Sequence, residues 1–83
     1  MRPTFKRMSG KFLRRNPHLT EKLNKTLNSL QRDVFDSTLG THKLHGDMGD
    51  FYACKINYDY RIIFSFTDAE VVLHSIGTHD EVY

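Results

Sequence analysis

Tryptophan is missing from these 83 residues, cysteine occurs once and proline twice. A single thiol, Cys54, forms no intramolecular disulfide and builds no zinc knuckle. That excludes a disulfide-stapled miniprotein of the secreted type and makes a reducing cytoplasm the expected setting. No apolar run approaches the ~20 residues of a membrane span. The opening MRPTFKRMSGKFLRR carries cations without the apolar core of a signal peptide, so no membrane association is expected. Acidic residues are scarce at first: up to Arg32, nine lysines and arginines stand against one acid, Glu21. Such a field attracts phosphates, nucleic acid or an acidic protein, although a solvated helix surface has the same composition.

What is present fits one folded domain over residues 1–83. Hydrophobic residues make up 39% and charged residues 27%, with no low-complexity tract or repeat, which is a globular composition. The stretch PTF is expected to begin a short strand, and KRMSGKFLRR places Met8, Phe12 and Leu13 at near-helical spacing. In RNPHLTEKLNKTLNSLQRD, Asn16 is a suitable N-cap and Pro17 suits the first helical position. Leu19, Leu23, Leu27 and Leu30 then form one stripe, with Lys22, Lys25 and Arg32 pointing elsewhere.

After Asp33 the pattern changes to alternation broken by turn residues. THKLHG is a short candidate strand. FYACKI and RIIFSF, joined by NYDY, read as an antiparallel hairpin, and EVVLHSI as the last strand. Helices followed by strands predict an α+β domain with two N-terminal helices packed on one face of a small, twisted antiparallel sheet. Alternation assigns Ile62, Phe64 and Phe66 to the core and leaves Arg61, Ile63 and Ser65 on an open face, with Phe51, Ala53 and Lys55 set against Tyr52, Cys54 and Ile56. Lys55 and Arg61 on adjacent strands make that face a candidate anion site.

The order helix, HKLHG, FYACKINYDYRIIF and closing IGTHDEVY resembles the RelE-type bacterial toxins, in particular their YafQ-like branch of mRNA endonucleases. The resemblance implies a RelE-like fold and roles for specific residues. His42, Asp59 followed by Tyr60, Arg61, His79 and Tyr83 match positions of the family pattern. Lys55 departs from it, standing where the YafQ-like members carry a second histidine, and brings the chain closer to the cation-based chemistry of RelE.

These residues suit metal-independent cleavage of RNA by its own 2′-OH. Histidine carries protons near neutrality. The expected division has His79 as general acid and His42 or Asp59 as general base, or the two roles exchanged, with Arg61 and Lys55 as clamps on the phosphoryl oxygens. Tyr60 and Tyr83 are candidates for stacking on a base, and Lys22 and Lys25 for holding substrate. Plainer readings stand beside these: Asp59 as a turn residue, His74 as structural, Tyr83 as an anchor. A metal site from His42, His45, His74 and His79 with Asp47, Asp50 or Asp80 lacks a cysteine pair or an HExxH helix, and no cofactor is expected. The implied partners are mRNA, the ribosome and a cognate antitoxin. The alternatives are a ParE-like gyrase-binding toxin and a module that binds its antitoxin without cleaving RNA.

Overall fold

The computed structural model describes residues 3–44 and 50–78. Helix α1 spans Pro3–Arg15 and helix α2 Thr20–Arg32, with a 3-10 turn at Pro17–Leu19 between them and a second at Ser37–Leu39 after them. Strands β1 (His42–Lys43), β2 (Tyr52–Lys55), β3 (Tyr60–Phe66) and β4 (Val71–Thr78) follow. They form one antiparallel sheet in the order β1-β2-β3-β4.

The expected strand at PTF is instead the first turn of α1. Phe5, Met8 and Phe12 lie at i, i+3 and i+7, so the helix buries Phe5 fully and Phe12 nearly so, with Met8 packed beside them. Proline tolerates a helix start, and Arg14 and Arg15 in the last turn complement the partial negative charge there. Gly10 does not interrupt the helix.

Asn16 does not cap through its side chain. Its amide donates back to the Phe12 carbonyl at 3.1 Å and its Oδ1 accepts from the Tyr60 hydroxyl at 3.4 Å. The leucine stripe of α2 faces the sheet, with Leu23 and Leu30 buried and Leu27 half-buried. Beyond Asp33, Asp36 caps the second 3-10 turn: its carboxylate accepts from the Thr38 hydroxyl at 2.6 Å and the Thr38 N–H at 2.9 Å. The hydroxyl bond first, then the backbone bond, hold that carboxyl below its usual range.

The main core lies between the helices and one sheet face, where Cys54, Ile56, Ile62 and Phe64 meet Phe5, Phe12, Leu23 and Leu30. Phe66 packs at its margin, half-buried, rather than inside it. The opposite face is less open than alternation suggested. Ala53, Ile63 and Leu44 are buried there as a second small cluster with Phe51 against it. His74 closes over this cluster, stacked on Phe51 at 4.4 Å and hydrogen-bonded to Ser65 Oγ at 2.9 Å.

Strand β4 contains a register shift: Ile63 pairs with Ser75 but Phe64 pairs with Leu73. His74 is the extra residue between two rungs, a β-bulge. Val71, Leu73 and Ile76 thereby all reach the main core.

Candidate functional site

Cross-strand partners share a face, so the register places side chains directly. Lys55 is opposite Arg61, and Arg61 is opposite Gly77. The neighbouring row holds His42, Ala53, Ile63 and Ser75. Two cations directly across adjacent strands have Cβ atoms about 4.5–5.5 Å apart and repel each other. An anion between them removes that penalty. Gly77 adds no side chain beside Arg61, and Ala53 adds a small one beside His42.

Arg61 is held by the turn that precedes it. Its Nη1 donates to the carbonyls of Asn57 (2.8 Å), Tyr58 (3.2 Å) and Tyr60 (3.2 Å). The turn is fixed in its own right, because Asn57 Oδ1 accepts the N–H groups of Asp59 (3.0 Å) and Tyr60 (2.9 Å). The guanidinium is therefore oriented before any ligand arrives, with Nε and Nη2 unused among the described residues.

His42 is exposed on edge strand β1, its Nδ1 3.3 Å from the Gly40 carbonyl. A carbonyl only accepts, so in this contact Nδ1 is the donor. Gly40 sits at φ 59°, in the left-handed region that glycine adopts without strain. The Lys55 stem runs past it, 3.6 Å from where a Cβ would be.

Strand β1 stops after two residues, and a cleft of about 610 Å³ opens between α2, the second 3-10 turn and the hairpin end. Lys22 and Lys25 from α2 and Lys55, Asn57, Tyr58 and Arg61 from the hairpin line it. Four expected cations meet in one concavity whose wall, among the described residues, holds no carboxylate.

Other expected residues fall elsewhere. Tyr60 lies on the helix side, its ring edge-on to Phe12 at 4.8 Å and its hydroxyl on Asn16. The core therefore occupies the ring that the sequence suggested for base stacking. Asp59 is exposed in the turn and is not part of the cleft wall. His79 and Tyr83, like His45, Asp47 and Asp80, lie outside the described residues. Among the described residues no group of histidines, cysteines and carboxylates is arranged to hold a metal ion, and no helix is long and apolar enough to cross a membrane.

Two residues of the cleft carry no signal in the strand pattern. Asn57 is an Asx-turn residue, a type that starts turns through its own side chain. Tyr58 is an aromatic residue in a hairpin loop, 93% exposed. What could have marked both is their place in NYDY, between two strands and outside their alternation.

The fold is shared with solved toxins. The DinJ–YafQ toxin–antitoxin complex of E. coli matches at a TM-score of 0.80 and 17% identity, over 99% of this chain and 91% of that one. The YoeB–YefM complex of Staphylococcus aureus matches at 0.76 and 22%, over 94% and 91%. A copper-bound mutant toxin of Helicobacter pylori matches at 0.73 and 23%, over 99% and 93%. No curated protein matches the sequence significantly. The family model for the bacterial toxin of type II toxin-antitoxin systems, YafQ, matches residues 1–83. With its two helices on an antiparallel sheet and that match over the whole sequence, the chain belongs to the YafQ toxin family of type II toxin–antitoxin systems.

Proposed function

We propose that this chain is a metal-independent endoribonuclease that cuts mRNA on the ribosome, in the cytoplasm, by attack of the ribose 2′-OH on the adjacent phosphorus. The observation that carries this reading is the Lys55–Arg61 pair, two cations directly opposite on one sheet face with His42 in the next row.

In the proposed reaction a base takes the 2′-OH proton and the 2′-oxygen bonds to phosphorus. The bond from phosphorus to the 5′-oxygen breaks, and an acid protonates that oxygen. The products are a 2′,3′-cyclic phosphate and a 5′-hydroxyl. His42 or Asp59 acts as base, and His79 as acid. Lys55 and the pre-oriented Arg61 neutralise charge on the non-bridging oxygens, where preorganised donors contribute most. A cognate antitoxin is the protein partner, its acidic side chains complementing the basic helices.

The test is primer-extension mapping of a defined transcript in a purified translation system with EDTA present. Wild type should introduce breaks within the reading frame. His79→Ala and Arg61→Ala should abolish or strongly reduce them, and a 2′-deoxy substitution at the cut site should stop them. Breaks in the 2′-deoxy message would overturn the mechanism. Absence of any break with wild type would leave gyrase binding or antitoxin binding alone as the function.

A further inference from the structure

Exposing an aromatic ring forgoes the burial that usually places it, so an isolated one beside a charged cleft calls for a reason. Two large hydrophobic side chains are exposed among the described residues, Phe35 and Tyr58. Phe35 is edge-on to Tyr52 at 5.9 Å and to Phe66 at 5.7 Å, so packing accounts for it. Tyr58 has no ring partner among the described residues. Its backbone is nevertheless held, because Arg61 Nη1 takes its carbonyl and Asn57 Oδ1 fixes the two residues after it. The ring is thus displayed on a rigid mount at the mouth of a cleft lined by Lys22, Lys25, Lys55 and Arg61.

Cations spaced along a groove follow a phosphate backbone, and an aromatic face at its rim accepts a base of any sequence. A protein surface offering only charge complementarity would leave the ring without a function. A duplex would bring phosphates but keep its bases stacked on each other. We propose that the cleft between α2 and the hairpin end is a groove for single-stranded RNA, in which the four cations hold successive phosphates and Tyr58 stacks on one unpaired base. The groove begins at Lys55 and Arg61, so the strand it holds runs into the site where cleavage is proposed, and the inference rests on that reading for the identity of its ligand as substrate. Asp59, adjacent in sequence, is not among the residues that line the cleft. Tyr58 assumes the stacking role that the sequence suggested for Tyr60.

The test is fluorescence anisotropy with a labelled 2′-O-methyl RNA decamer, which binds but provides no 2′-OH for cleavage. Tyr58→Ala should weaken binding about 5- to 100-fold, and Tyr58→Phe should keep wild-type affinity, since the face and not the hydroxyl is used. Lys22→Ala combined with Lys25→Ala should make the slope of log K against log salt shallower by about 0.7 for each phosphate that is no longer neutralised. A self-complementary RNA duplex should bind more weakly and respond little to Tyr58→Ala. Equal affinity of wild type and Tyr58→Ala for the decamer would overturn the proposal, as would a Tyr58→Ala defect confined to antitoxin binding. Cleavage mapping of the same variants separates the two readings. If wild type cuts and Tyr58→Ala changes neither binding nor cutting, the groove fails and the nuclease reading stands. If wild type binds the decamer through Tyr58 but cuts nothing, the groove stands and the nuclease reading fails.

Discussion

Arg61 and Cys54 show how one strand register produces opposite chemical fates. Arg61 stays out of the main core, half-buried in the cleft wall, with one nitrogen held on three carbonyls. Lysine there keeps a charge but has no planar fork with which to hold the turn and still present further donors. Arg61→Lys is therefore expected to recover little of the activity lost in Arg61→Ala, itself about 100-fold or more, as single-turnover cleavage rates would reveal. Cys54 lies on the helix side, fully buried, and burial pushes its thiol up to about 12. The native protein should resist thiol-specific alkylation at neutral pH and react once unfolded in urea. Lys55 and Arg61 are legible as a pair because hairpin alternation is enough to place them. Tyr60 is not, because its neighbour Phe12 comes from a helix far away in sequence, which no local pattern records.

At the scale of elements, local signals work where the period is long and fail where it is short. The leucine stripe of α2 repeats over three turns and is readable directly, apart from a 3-10 turn at its start. PTF offers three residues, too few for a period, and the helical choice is made by the packing of Phe5 into the core. The link from α2 to β1 turns on Gly40, whose φ of 59° disfavours any side chain. An added Cβ would meet the Lys55 stem at ordinary contact distance, so the cost is in the backbone. Gly40→Ala should lower stability by about 1 kcal/mol, measured by urea denaturation, and should loosen the Lys55 side of the cleft.

At the scale of the molecule, a chain this small has one principal core and little reserve. A total stability of roughly 4–12 kcal/mol is expected for its length, and Leu23→Ala, at a position 2% exposed, should remove about 2–5 kcal/mol. A thermal or urea midpoint would show this as partial or complete loss of the folded state. The buried thiol also sets an alkaline limit. An unfolded Cys54 ionises near 9.0 and burial pushes the folded one up to about 12, so across that window the unfolded chain releases its proton first. Stability then falls as pH rises, by up to about 1.4 kcal/mol per unit, and the contribution is fully present below pH 9. The stability difference between wild type and Cys54→Ala, followed from pH 8 to 11, should shift against wild type. Fold class and family pattern are legible at this scale because both are written in consecutive residues. The cleft is not, because its walls come from α2, a 3-10 turn and a hairpin end that only tertiary packing brings together.

The bulge in β4 leaves the sheet with a spare residue. If His74 were deleted, Leu73 would follow directly before Ser75, their partners Phe64 and Ile63 would be unchanged, and every other side chain of the strand would keep its side. Strands ordinarily punish a change of length by reversing everything beyond it. At this position the chain can shrink by one without that reversal, so relatives one residue shorter there should keep the same sheet. The ring that closes the second cluster is then an addition that evolution can insert or withdraw independently of the sheet that carries it.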